Sequence, residues 1–139
     1  MKKALICTLL IIFACFNFTA CNNKNESDLW QDATYTKDTE FGNGSKTVYV
    51  EVVAQDKSVT FTINTDKEIL GDALMEHKLI SGEKGPYGLY VKFVNGIEAD
   101  YDKTKSFWAL TKNGESLVTG VDGEKIKNKS HYELIYTLQ

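Results

Sequence analysis

From Thr47 onward the chain alternates between apolar and polar positions. Val48, Val50 and Val52 are interleaved with Tyr49 and Glu51, and Val59, Phe61 and Ile63 with Thr60 and Thr62. A period of two sends successive side chains to opposite faces, so each run predicts a strand with one buried side. The polar Gln55 to Ser58 between them closes an antiparallel hairpin. At Asn64 to Glu68 the period changes. Thr65 and Glu68 have the spacing of a capping box, and Ile69, Leu70, Ala73 and Leu74 then recur at helical spacing. This predicts a helix of about three turns that Leu79 to Gly82 close, although Gly71 within it costs up to about 1 kcal/mol against alanine.

After the glycine-rich segment Gly82 to Gly88, read as a loop, Leu89 to Val94 predicts a strand. Asn95-Gly96 between Val94 and Ile97 is a strong hairpin signal. Ser106 to Lys112 predicts another strand, turned by Asn113-Gly114, and Asp122-Gly123 marks a further turn. Tyr132, Leu134, Tyr136 and Leu138 alternate in a final strand. Leu29 to Gly44 stays open: Trp30 and Tyr35 fit a stretch laid against the domain, while Gly42-Asn43-Gly44 fits a loop. The order strand, strand, helix, strands predicts an α+β fold, with a mixed or antiparallel sheet of four to five main strands packed on one helix.

The N-terminus has the layout of a secretory leader. Lys2 and Lys3 precede an apolar run from Ala4 to Phe16, too short and too early for a membrane-spanning helix. Phe18-Thr19-Ala20-Cys21 follows and resembles the lipobox of bacterial lipoproteins, in which the cysteine is acylated and becomes the new N-terminus. The position three before the cysteine is usually Leu and here is Phe18. Cys15 is a weaker candidate, and the alternatives are an ordinary leader with an incidental cysteine or an uncleaved anchor. The resemblance implies residues 1–20 as signal peptide, residues 21–45 as lipid-anchored linker and N-terminal extension, and residues 46–139 as the domain.

Lipidation at Cys21 empties the cysteine inventory. The chain has three cysteines; Cys7 and Cys15 leave with the leader, and no thiol remains for a disulfide framework, a zinc cluster or a nucleophile. Loss of Lys2 and Lys3 also makes the formal net charge of −3 more negative. An acidic surface disfavours nucleic acid and offers no polybasic patch to membrane lipid, so the acyl chains must supply the tether. Asn22 to Asp28 carries no apolar residue and reads as a stalk. The rest suits one domain with one core, expected to be a monomer.

Five segments in order carry a second resemblance: GDALMEH (Gly71 to His77), GPYGLYVKFVNGIEADY (Gly85 to Tyr101), SFWALTKNGES (Ser106 to Ser116), TGVDGEKI (Thr119 to Ile126) and HYELIYT (His131 to Thr137). Together they resemble bacterial domains related to the C-terminal domain of transcobalamin and intrinsic factor. Asn128-Lys129-Ser130 departs from the Gly-Asp turn common before the last strand there. The resemblance implies a β-grasp-like fold and binding without catalysis. It also implies a cobalamin-like ligand, although the helical domain that closes over cobalamin in the vitamin carriers has no counterpart here. No other cofactor is expected.

Candidate ligand contacts are Tyr87, Tyr90, Phe107 and Trp108, whose rings would stack on a flat ligand, with Asn95 and Asn113 offering amide groups. The alternative for each ring is a place in the core, and for each asparagine the positive φ of a tight turn. Trp108 is the leading candidate, because adjacent strand residues face opposite ways and one of Phe107 and Trp108 must point outward. His77 and His131 have no second ligand at metal spacing. Asp100 and Asp102 share a side of an extended segment but lack the further oxygens of a calcium site. No Gly-x-Ser-x-Gly nucleophile elbow and no phosphate-loop pattern is present. The expected function is therefore non-enzymatic: a binding module on the extracytoplasmic face of the cell membrane, capturing a soluble small molecule for a membrane transporter. The alternative is a surface lipoprotein that binds a protein or cell-wall partner.

Overall fold

The computed structural model describes residues 27–139. The leader, Cys21 and the start of the stalk lie outside the described residues. Two sheets account for most of the described chain. A six-stranded mixed sheet combines β1 (Thr39–Gly42), β2 (Lys46–Ala54), β3 (Lys57–Thr65), β7 (Ser106–Lys112), β8 (Glu115–Ser116) and β9 (His131–Leu138), in the order β1-β3-β2-β9-β7-β8. The pairs β1–β3 and β2–β9 are parallel, and the others are antiparallel. A three-stranded sheet orders β4 (Ile80–Gly85), β5 (Gly88–Val94) and β6 (Ile97–Glu98). Between the sheets in sequence lie the helix α1 (Leu70–Glu76) and the single turn α2 (Tyr101–Thr104).

The expectation of one sheet packed on one three-turn helix is overturned. The described residues are mostly β, with nine strands in two sheets, and the longest helix among them has seven residues. Both ends of α1 explain the difference. The expected capping box does not form: Thr65 Oγ1 accepts the backbone N–H of Lys67 at 3.0 Å, and the Glu68 carboxylate pairs with Lys46. The first helical N–H groups go instead to a distant loop, Leu70 N–H to Glu124 O at 2.9 Å and Gly71 N–H to Val121 O at 3.0 Å. At the other end Lys78 takes a left-handed φ of 56°. Its N–H bonds Met75 O and that of Leu79 bonds Leu74 O, both at 3.0 Å, which is a Schellman closure. Glycine is the usual marker of that motif, and with lysine there the stop signal was absent from the sequence pattern.

The segment Gly82 to Gly88 is a hairpin, not a loop. Its β4 half shows no alternation because Ser81 to Gly85 all lie exposed. Gly82 is needed there for close approach: a Cβ at that position would stand 1.9 Å from Tyr90 O. A bulge opposite Ser81/Gly82 leaves Lys92 as an extra residue in β5 and shifts its facing by one, so that Leu89 and Val91, then Val94, all turn to the core.

The β2–β3 hairpin forms as its alternation predicts, with Val48, Val50, Val52, Val59, Phe61 and Ile63 buried. Strand β9 adds Tyr132 and Leu134 to that face. Leu70, Ala73 and Leu74 of α1 and Val94 and Ile97 of the small sheet complete the same core. Within the 21–45 extension, Leu29–Asp32 forms a 3-10 turn that buries Trp30, whose indole N–H donates to Ala54 O at 2.8 Å, and β1 adds a parallel edge strand beside β3.

Candidate functional site

The six expected contact residues do not come together. Trp108 faces the core at 8% exposure, edge-to-face with Tyr136 at 5.6 Å. Phe107 is the outward member of the pair, half-buried on the far face of the six-stranded sheet. Asn95 is buried in the β5–β6 turn at φ 52°, where its amide accepts from Tyr35 N–H and donates to Tyr35 O, each at 2.8 Å. It fastens the N-terminal segment to the small sheet. Asn113 sits exposed in the β7–β8 turn, also at φ 52°. Only Tyr87 and Tyr90 keep a place suited to contact, since the first is fully exposed at the tip of the β4–β5 hairpin and the second is exposed on its flank.

That hairpin is the most conspicuous surface element. The exposed large apolar side chains of the described residues are Tyr87, Tyr90, Phe93, Tyr101, Val118 and Leu138. Three of them lie on β5 or its turn, and Val118 lies on the loop to which the turn is fastened. The fastener is Asp122: its Oδ2 accepts Leu89 N–H at 2.9 Å. Gly88, at φ 101°, passes directly against it, and a Cβ there would meet the Asp122 side chain at 3.3 Å. On the other side Asp122 abuts the start of α1, where a Cβ at Gly71 would stand 2.6 Å from Oδ1. One carboxylate thus ties hairpin, loop and helix together.

Ion pairs stiffen the base of the hairpin. Lys92 Nζ lies 3.3 Å from Glu83 Oε1 and 3.9 Å from Asp100 Oδ2. Its hydrogen bond to Glu83 and the charges of Glu83 and Asp100 raise its pKa above the ordinary lysine range. Asp100 caps α2, accepting the N–H groups of Asp102 and Lys103 at 3.0 and 3.1 Å. The backbone bond from Lys103, with that residue's ammonium, holds the carboxyl below its usual value. The arrangement offers outward rings on a braced support.

Two concavities lie elsewhere, and neither contains an expected contact residue. One of about 360 Å³ is lined by Trp30, Thr36, Lys57, Ser58 and Val59. The other, about 400 Å³, lies between Gly42–Gly44, Asn64–Lys67 and the His77 end of α1. There the His77 ring lies 5.2 Å from that of Phe41, and its buried Nε2 has no hydrogen-bond partner. The parallel β1–β3 pairing assembles this pocket, and no local sequence signal announces such a pairing. Among the described residues no group of three or more His, Cys, Asp or Glu side chains is placed to hold a metal ion.

Comparison with known proteins places this architecture. Residues 68–136 match the family model described as "Domain of unknown function (DUF4430)". A crystal structure named as a "putative metal binding protein" from Ruminococcus gnavus ATCC 29149 shares 31% identity at a TM-score of 0.65, over 68% of this chain and 99% of that one. The chain belongs to the DUF4430 family. Haptocorrin, solved in complex with Cbi, matches at a TM-score of 0.52 and 19% identity, over 70% of the DUF4430 chain but 26% of haptocorrin. At that identity the likeness shows a shared fold. It supports the transcobalamin-like resemblance at that level, with this chain spanning about a quarter of the larger protein. No curated protein matches.

Proposed function

We propose that this DUF4430 protein is a non-enzymatic binding module, held on the extracytoplasmic face of the cell membrane by an acylated Cys21, with the β4–β5 hairpin as its contact element. The carrying observation is the gathering of exposed Tyr87, Tyr90 and Phe93 on one hairpin, beside Val118 on the loop that Asp122 latches to it. Water-exposed rings on a braced hairpin lose little conformational freedom on binding, and their faces stack on flat ligands. The ligand class is a soluble, ring-bearing, cofactor-sized molecule, cobalamin-like compounds among them, handed on to a membrane transporter. Both named relatives support binding: one is named for metal, the other was solved with Cbi.

A thermal-shift panel of cobalamins, other cofactors and small metabolites tests this. A ligand at 100 times its dissociation constant adds about 2.7 kcal/mol, on the order of 10 °C for a domain of this size. Tyr87→Ala with Tyr90→Ala is expected to erase the shift while moving the unliganded melting temperature by under about 2 °C, since exposed side chains contribute little to stability. Tyr87 stands free of any wall, which favours a second reading: a protein or cell-wall partner at the same hairpin. Silence across the panel, with capture of a surface component lost in the tyrosine variant, selects that reading. Cys21→Ala is expected to abolish acyl labelling and release the protein from the detergent phase; persistent labelling would sink the anchor.

A further inference from the structure

The far face of the six-stranded sheet, opposite the core, is covered by no other element of the described residues. The pairing registers lay out its rows. One runs Thr60, Glu51, Glu133, Thr111, Ser116 across β3, β2, β9, β7 and β8. The row on one side includes Tyr49 and His131, whose rings stack at 4.5 Å. The row on the other side includes Val53, Ile135 and Ala109, with Phe107 beyond it. These apolar residues are half-buried, yet they are not among those packed against the core.

Glu51 and Glu133 are direct cross-strand partners at the centre of this face. Like charges set opposite each other in a sheet repel and destabilise the pairing. Among the described residues neither carboxylate makes an ion pair or a side-chain hydrogen bond, although lysines elsewhere pair with Asp28, Glu68, Glu83, Glu98, Asp100 and Glu124. Thr111, the next residue in the row, is only 7% exposed, and its hydroxyl has no partner. A buried hydroxyl without a bond is uncommon in a folded protein and is ordinarily accounted for by strain or by a bound water or ion. Uncompensated negative charge, an unspent hydroxyl and an adjoining apolar strip therefore share one flat surface. Flatness and breadth suit a macromolecule better than a small ligand, which needs walls.

We propose that this face docks a lysine- or arginine-bearing segment of a partner protein, its cationic heads over Glu51 and Glu133 and its aliphatic stems over Val53, Ile135 and Ala109. The net charge of −3 steers such a partner toward the molecule. This surface is separate from the hairpin and stands or falls independently of it.

The probe is a peptide carrying carboxyfluorescein on its N-terminal amine, fluoresceinyl-Gly-Arg-Val-Arg-Val-Arg-Val-amide, titrated against the detergent-solubilised full chain by anisotropy, with amide shifts mapping the contact. Binding is expected to weaken as salt rises and to perturb Tyr49, Glu51, Val53, Glu133 and Ile135. Glu51→Gln with Glu133→Gln should weaken it at least about tenfold at low salt and raise the melting temperature by about 1–3 °C as the repulsion is relieved. Glu98→Gln with Glu115→Gln should leave affinity within about twofold, and Tyr87→Ala should leave it unchanged. The proposal is overturned if the peptide does not bind, if the Glu51/Glu133 variant binds as well as the parent, or if that variant melts lower. It is equally overturned if calcium chloride alone moves the same resonances and the peptide does not, since the pair is then a cation site.

Discussion

Replacing Gly71 by alanine sets two opposed effects against each other. In an isolated helix the change is favourable, by up to about 1 kcal/mol, because alanine has less backbone freedom to lose. In this fold the new Cβ would stand 2.6 Å from Asp122 Oδ1 and 3.3 Å from the Val121 carbonyl carbon and Cγ2. The Asp122 carboxylate is the movable partner, and swinging it away breaks its bond to Leu89 N–H at 2.9 Å. A hydrogen bond to a charged group contributes about 1.5–3 kcal/mol. The net expectation is a loss of roughly 0.5–2 kcal/mol, or about 2–8 °C in melting temperature. Urea titration of Gly71→Ala, Asp122→Ala and the double variant measures it. With the carboxylate gone, only the Val121 contact opposes the alanine, so the double variant should be more stable than the sum of the singles by about 1–2 kcal/mol. Amide exchange at Leu89 should quicken in both single variants, since each unlatches the hairpin. Stabilisation by Gly71→Ala alone, or additivity within about 0.5 kcal/mol, would refute the three-way contact at Asp122.

Two further predictions concern the core and acid stability. Trp108→Ala should cost about 3–5 kcal/mol, with Trp30 left as the fluorescent reporter, whereas Trp108→Phe should cost far less because it also removes a buried N–H that lacks a partner; a loss below about 1 kcal/mol for the alanine variant would return Trp108 to the surface. The carboxyls of Asp28, Asp66 and Asp100 titrate below their ordinary values, through Lys57, Ser45 and the Lys103 backbone N–H respectively. A depressed folded-state pKa contributes stability that is complete above the unfolded value and lost as pH falls through the folded one. Unfolding midpoints should therefore hold near neutrality and decline below about pH 4. Asp100→Asn, which keeps the cap on α2, should make that decline shallower, and an unchanged slope would contradict the assignment.

What could be read in the chain before folding was the local part. Alternation at Val48–Val52, Val59–Ile63 and Tyr132–Leu138 identified strands and their buried faces, because a period of two is imposed by the backbone itself. Asn95-Gly96 and Asn113-Gly114 marked turns through the positive φ that both positions require, and the structure adopts it at all four residues. The parity of Phe107 and Trp108 required that one face outward, but a single strand carries no information on which side will be covered. Strand β4 carries no alternation because Ser81 to Gly85 bury nothing, and the helical pattern overruns α1 because Lys78 stands where a glycine usually marks a helix end.

The longer-range part lay beyond any window of sequence. Gly71 read as a helix defect; only the approach of the loop at Val121 and Asp122, fifty residues on, made it a clearance. Asn95 read as an amide for a ligand, yet the Tyr35 backbone lies against it because the N-terminal segment folds back over the small sheet. The parallel pairing of β2 with β9 sets Glu51 beside Glu133 across more than half the chain. Local pattern therefore determined β2, β3, β5, β7 and β9 and the two Asn-Gly turns, since those depend on each residue and its near neighbours. Which surfaces meet, and which carboxylates and rings stay uncovered, was decided by the order of strands in the sheets, a property of the closed chain that no local pattern encodes.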